Sequence, residues 1–232
     1  MGATSAIIGS STGIGRALAE AHRSRGLECV TLSRTPESLA GFPAFSLDLT
    51  DERQAAGAFE KVFARYPEID TIFLISGTGD VEPTPGYETA RSTIALNCAG
   101  FTLAAYQAAK HLEHRGAGRL VAVTSVAAIR GGSQSLSYNA SKAYQSSLLE
   151  GLRCRFASLK LPITVTEVRA GFVDTAMMKA EKPFWVATAD QAAQAILAAT
   201  QARKELVYVL GRWRLIGWLL RLLPTFLYKR IG

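Results

Sequence analysis

The sequence has little cysteine and no metal-ligand spacing. Cys29, Cys98 and Cys154 are widely separated and odd in number, and no CxxC pair occurs. A disulfide framework and a zinc site are therefore not expected, and the usage suits a reducing, cytoplasmic setting. No run of about 18 apolar residues is present, so no segment is expected to span a bilayer. The chain opens straight into an apolar strand pattern, Ser5-Ala6-Ile7-Ile8, without the basic region or cleavage site of a secretory signal. Gly2 raises the question of myristoylation, but Ala6 stands where that motif needs Ser or Thr. Repeats, low-complexity tracts and linkers are missing too, and Pro83-Thr84-Pro85-Gly86 is a loop too short to divide domains. His22, His111 and His114 fall on what read as outer helices and are expected in solvent, so neither a metal nor a Ser/His/Asp triad is expected.

What is present suits one domain. The 232 residues are 48% hydrophobic and 19% charged, enough for a sizeable core. The net charge of +7 is partly gathered at the end of the chain, in Arg203, Lys204, Arg212, Arg214, Arg221, Lys229 and Arg230. Such an excess suits anionic ligands or an anionic surface, and no nucleic-acid partner is expected.

Short β-rich runs alternate with longer helical ones. Expected strands are Ser5–Gly9, Cys29–Ser33, Ala44–Leu47, Thr71–Ile75, Leu120–Ser125, Ile163–Val168 and Leu206–Leu210. Expected helices are Gly13–Ser24, Asp51–Tyr66, Tyr87–Arg115, Ser137–Leu159 and Ala189–Ala202. Gly26 reads as a helix C-cap and Thr50 as an N-cap before Asp51-Glu52. The alternation predicts an α/β fold with a parallel sheet covered on both faces.

After the first strand comes Gly9-Ser10-Ser11-Thr12-Gly13-Ile14-Gly15, opening a helix. Small residues there let the backbone approach a pyrophosphate, and the helix N-terminus offers it unpaired N–H groups and a positive dipole end. The second strand ends at Ser33-Arg34, where an NAD-preferring fold has a carboxylate for the ribose. Arg34 would instead pair with a 2′-phosphate, aided by Arg16 and Ser11, so NADP(H) is expected over NAD(H).

Tyr138-Asn139-Ala140-Ser141-Lys142 puts a phenol and an ammonium at i and i+4, on one helix face. The ammonium is expected to lower the phenol's pKa, letting Tyr138 pass a proton to or from a substrate oxygen. Ser125, at a strand end, is positioned to hydrogen-bond that oxygen.

The GxxxGxG loop and the Tyr-xxx-Lys pair resemble the short-chain dehydrogenase/reductase family, over nearly the whole chain. That resemblance implies a single Rossmann-type doubly wound sheet of seven strands, order 3-2-1-4-5-6-7, over residues 1–211, with a basic amphipathic tail at 212–232. It implies Asn97, Ser125, Tyr138 and Lys142 as the catalytic set, Asn97 holding a backbone site that completes a water relay to the lysine. It implies cofactor contacts from Gly9, Ser10, Ser11, Gly13, Ile14, Gly15, Ser33, Arg34, Asp48, Leu49, Gly77, Tyr138, Lys142, Gly171, Val173 and Thr175. Asp48 would bond the adenine and Thr175 the carboxamide of the nicotinamide, and Lys142 would hold its ribose. It implies a homodimer or homotetramer through the two longest helices. The chain departs from the family at Ile8, Ser76-Gly77-Thr78-Gly79 and Ala170-Gly171, none of which removes a catalytic group.

The function expected is NADP(H)-dependent interconversion of a carbonyl and a secondary alcohol, in the direction of reduction. Met177, Met178, Phe184 and Trp185 suit either a hydrophobic substrate or packing against the tail. The tail from Trp213 to Arg230 is aromatic, leucine-rich and cationic. It suits peripheral membrane contact, or packing on the domain, on a subunit partner or over the substrate mouth. A non-catalytic cofactor-binding regulator and a membrane-associated interaction protein are the readings from other classes.

Overall fold

Neighbouring residues of the first strand face opposite cores. In the computed structural model, which describes residues 4–82, 84–179 and 182–230, β1 (Thr4–Ile8) sends Ala6 and Ile8 into one apolar cluster and Ile7 into the other. A strand buried on both faces carries no solvent-facing row, which is why this one has no charge. Gly2, Pro83 and the last two residues of the tail lie outside the described residues.

Six further strands line up with β1. They are β2 (Cys29–Ser33), β3 (Ala44–Ser46), β4 (Ile69–Leu74), β5 (Gly118–Ser125), β6 (Ile163–Ala170) and, near the end of the chain, β9 (Leu206–Val209). The intervening β7 (Val173–Asp174) and β8 (Ala187–Thr188) pair only with each other. The large sheet is parallel, in the order β3-β2-β1-β4-β5-β6-β9. This is the expected doubly wound Rossmann order, with β9 as seventh strand.

One face is covered by α2 (Glu52–Arg65), α4 (Phe101–Arg115) and α5 (Leu136–Ser158), through Phe59, Leu112, Leu149 and Phe156. The other is covered by α1 (Gly13–Ser24) and α6 (Ala189–Gln201), through Leu18, Ile196 and Leu197. Thr188 and Gln191 close a capping box at the start of α6. The chain ends in α7 (Trp213–Leu222) and α8 (Thr225–Tyr228). No described helix is long and apolar enough to cross a membrane.

The helix expected over Tyr87–Arg115 runs between those bounds as α3 (Tyr87–Ile94), a wider π turn at Ala95–Gly100, and α4. The turn lies where Gly100 packs so close that a Cβ there would stand 2.6 Å from the Leu49 carbonyl oxygen, and such turns gather at functional sites. Thr50 is not the cap of α2. Asp51 is, its carboxylate accepting from the Gln54 amide at 3.0 Å. Thr50 instead donates its amide and hydroxyl to Asp48, at 2.9 and 2.7 Å. His22 is not in solvent but buried, and His111 is half-buried, stacked on Phe63 with centroids 4.2 Å apart. His114 is exposed.

Candidate active site

The C-terminal ends of β1, β4, β5 and β6 open onto one crevice. Parallel register sets them level: Ile8 pairs with Leu74, and Ser125 with Ala170. The segments that follow these strands line a cavity of about 680 Å³. Open α/β sheets place ligands at this edge.

The glycine loop forms one end. Gly9 has φ +89°, and a Cβ there would lie 2.5 Å from the Ser76 amide nitrogen. A Cβ on Gly15 would lie 2.0 Å from the Gly9 carbonyl oxygen, so α1 seats directly on the loop. Thr12 makes no side-chain cap, which leaves the first amides of α1 facing the cavity unpaired. Ser11, Gly13 and Ile14 line the cavity; Ser10 and Gly15 do not. Ser10 is buried, its hydroxyl donating to the Leu32 carbonyl at 3.4 Å, so its place in the loop is that of a brace.

Ser33, Arg34, Asp48 and Leu49 line the same end. Arg34 is exposed at the tip of β2. The bonds from Thr50, and to a smaller extent the Arg34 charge, hold the Asp48 carboxyl below its usual pKa.

The other end holds the side chains with chemistry. Tyr138 and Lys142 project from the first turns of α5, with the Lys142 ammonium 5.7 Å from the Tyr138 ring centroid. Lys142 is buried, and burial pulls its pKa down to about 8, with Cys98 opposing. Burial also raises the Tyr138 phenol, while the Ser125 hydroxyl pulls it the other way. Burial is the larger of the two influences, so the phenol's pKa stands above its ordinary value. Ser125 sits at the end of β5, its Oγ accepting from the Ala127 amide at 3.1 Å. Gly77, Gly171, Val173 and Thr175 complete the lining.

Asn97 stands behind the cavity rather than in its lining. Its side chain clamps the segment after β4: Oδ1 accepts from the Thr78 amide at 2.9 Å, and Nδ2 donates to the Thr78 carbonyl at 2.7 Å. Nδ2 also donates to the Ser141 hydroxyl at 3.0 Å. Its backbone carbonyl accepts from Gln145 Nε2 at 2.9 Å, while Gln145 Oε1 accepts from Lys142 at 3.0 Å. A buried amide therefore links Lys142 to the Asn97 carbonyl, the two groups between which a water was expected.

Sequence reading did not find Gln145, Gly79 or Arg130. Gln145 lies three residues after Lys142 on the buried face of α5, a spacing that could have flagged it. A Cβ on Gly79 would lie 2.5 Å from the Tyr138 ring. Arg130 donates to the Leu220 and Leu223 carbonyls at 3.2 and 2.5 Å, and its guanidinium lies 4.3 Å from the Tyr228 ring centroid.

Arg130 thereby fastens the tail to the domain. Trp213 is buried against Gly171, where a Cβ would come within 2.1 Å of the indole. Its ring packs on Phe172, Phe184 and Trp185, with centroids 5.6, 5.0 and 5.8 Å apart. Ile216, Leu220 and Tyr228 then face the cavity beside Met177, Met178 and Phe184. Phe184 both packs against the tail and lines the cavity, and the tail is a wall of it.

The sequence matches the family described as short chain dehydrogenase over residues 3–184. It is 28% identical to the cis-4-hydroxycyclohexanecarboxylate dehydrogenase of Sinomonas cyclohexanicum, over 74% of each chain. It is 27% identical to the 3-oxoacyl-[acyl-carrier-protein] reductase of Bos taurus, over 75% of this chain and 77% of that one. A short chain dehydrogenase from Burkholderia cenocepacia J2315, solved in complex with NADP, superposes with TM-score 0.86 at 25% identity, covering 99% of this chain and 97% of its own. A dehydrogenase/reductase from Burkholderia phymatum in complex with NAD shares the fold at TM-score 0.82 and 18% identity, over 94% of this chain and 92% of its own.

Proposed function

This chain belongs to the short-chain dehydrogenase/reductase family, oxidoreductases acting on CH–OH and C=O groups, and on that premise we propose that it is an NADPH-dependent reductase of a hydrophobic carbonyl compound. The observation that carries the reading is one cavity joining a glycine cradle and Arg34 at one end to Ser125, Tyr138 and Lys142 at the other.

The cradle fits a dinucleotide. Gly9 and Gly15 let the loop close onto Ser76 and α1 where a side chain would collide, and the uncapped start of α1 offers amides to a pyrophosphate. Arg34 would bond a 2′-phosphate bidentately, with Ser11 beside it, and no acid ends β2 to favour a ribose hydroxyl. Asp48 and Leu49 would take the adenine, Lys142 the second ribose, and Val173 and Thr175 the carboxamide. When bound, the cofactor supplies the hydride.

The proton is this chain's part. Tyr138 donates it to the carbonyl oxygen as charge develops there. Ser125 donates a hydrogen bond to the same oxygen. The Lys142 ammonium steadies the phenolate left behind. The apolar wall of Met177, Met178, Phe184, Ile216 and Leu220 selects a hydrophobic substrate and excludes water.

The protein would assemble through α4 and α5, where Tyr106 and Tyr144 are exposed and Tyr144 shares a hydrogen bond with Thr102 of α4. The test of the reading is NADPH consumption with a panel of hydrophobic ketones and aldehydes. Tyr138→Phe is expected to lower turnover by about 10²–10⁴-fold with cofactor affinity unchanged. Turnover that survives the substitution, or absence of turnover across the panel, contradicts it and favours a cofactor-binding regulator.

A further inference from the structure

α7 has two apolar faces with different fates. Trp213, Ile216, Gly217 and Leu220 turn inward, to Gly171 and the cavity. Leu215, Trp218, Leu219 and Leu222, at i, i+3, i+4 and i+7, form the opposite face and are 53–68% exposed. Phe226 and Leu227 of α8 extend this exposed apolar surface. Arg214 and Arg221 lie along one edge of it, both exposed.

Charge decides what can cover this face. From Leu206 to the end of the chain there is no Asp or Glu, while Arg212, Arg214, Arg221, Lys229 and Arg230 are all cationic. Among the described residues, the side chains recorded against these helices, Ile129, Arg130, Phe172, Phe184, Trp185 and Tyr208, bring no carboxylate either. A second copy placed here about a two-fold axis would set five cations against five. An anionic bilayer surface matches both properties, taking the Leu and Trp side chains at the acyl boundary and the arginines at the headgroups.

We infer that the outer face of α7, with α8, docks the protein on an anionic membrane. The inner face of the same helix walls the substrate cavity, so docking brings that wall of the cavity to the bilayer surface. Resting on the reductase reading above, this names the substrate class: a carbonyl compound carried in the membrane.

Trp218 and Leu222 point away from the cavity and the core, so Trp218→Glu/Leu222→Glu leaves the fold intact, checked by its melting transition. The full chain is sedimented with vesicles of phosphatidylcholine plus phosphatidylserine, and with phosphatidylcholine alone. The inference expects binding to the mixed vesicles only, weakened by salt, abolished in the double variant, and weakened about fivefold by Arg214→Gln or Arg221→Gln. Absence of binding, equal binding to both vesicles, or retention in the double variant overturns it. So does an oligomer that the double variant dissociates, since the face would then belong to a second copy. Sedimentation needs no turnover, so its result stands apart from that of the reductase test. In the turnover arm, the double variant is expected to reduce a water-soluble ketone at the wild-type rate and to lose a vesicle-borne one. Equal loss of both overturns the delivery role.

Discussion

Gln145 Nε2 donates to the backbone carbonyl of Asn97 across 2.9 Å, and the Oε1 of the same amide accepts from Lys142. The π turn that carries Asn97 is thereby bound to the ammonium through a fixed amide. The amide orients Lys142 and stabilises its charged form inside an apolar surround.

Gln145 is expected to set the alkaline limit of activity. Lys142 is already drawn down to about 8, so its ammonium is lost as pH rises past that value. Gln145→Leu removes an acceptor from the charged form and moves the falling limb of kcat/KM to lower pH. Gln145→Glu places a carboxylate there and moves it to higher pH. Shifts in the same direction, or no shift, contradict the role.

Gly79 keeps the phenol in place. Its missing side chain is what lets the Tyr138 ring lie where it does, since a Cβ would stand 2.5 Å away. Gly79→Ala is expected to lower kcat by about 10²-fold through displaced geometry, with the melting temperature and NADPH affinity little changed. A wild-type kcat in this variant contradicts the account.

His22 makes the fold acid-sensitive. Its Nδ1–H donates to the Leu18 carbonyl at 2.8 Å, and Nε2 stands 3.2 Å from the Ser5 hydroxyl, a distance at which the neutral ring accepts. Burial holds its pKa below the ordinary value of about 6.5. The unfolded chain therefore binds this proton first as pH falls. The contribution is full above about pH 6.5 and is lost as pH drops from there through the folded pKa. Urea midpoints measured against pH should fall on the acid side for the wild type and fall less for His22→Gln. Parallel curves contradict the assignment.

What the sequence made legible was whatever depends on local pattern. Strand runs such as Thr71–Ile75 are apolar because both faces are buried, and the Gly9–Gly15 loop declares a close approach of backbone to ligand. Tyr138 and Lys142 share a helix face by spacing alone. What escaped depends on contacts between distant segments. Gln145 matters only because the π turn brings the Asn97 carbonyl to it, 48 residues away in sequence. Arg130 matters only because the tail returns across it. His22 read as a surface residue because its burial comes from Ser5 and Phe73, on two strands that flank α1. Cofactor preference lies between these cases: Arg34 is visible in the sequence, but its partner belongs to the ligand.

The most direct test of the central claim is a side-by-side fluorescence titration of the protein with NADPH and NADH, repeated on Arg34→Ala. The account predicts tighter binding of NADPH, weakened about 10–100-fold by the substitution with NADH little affected, as expected for loss of a charge-assisted bond to the 2′-phosphate. Tighter binding of NADH, or NADPH affinity indifferent to Arg34, would contradict it.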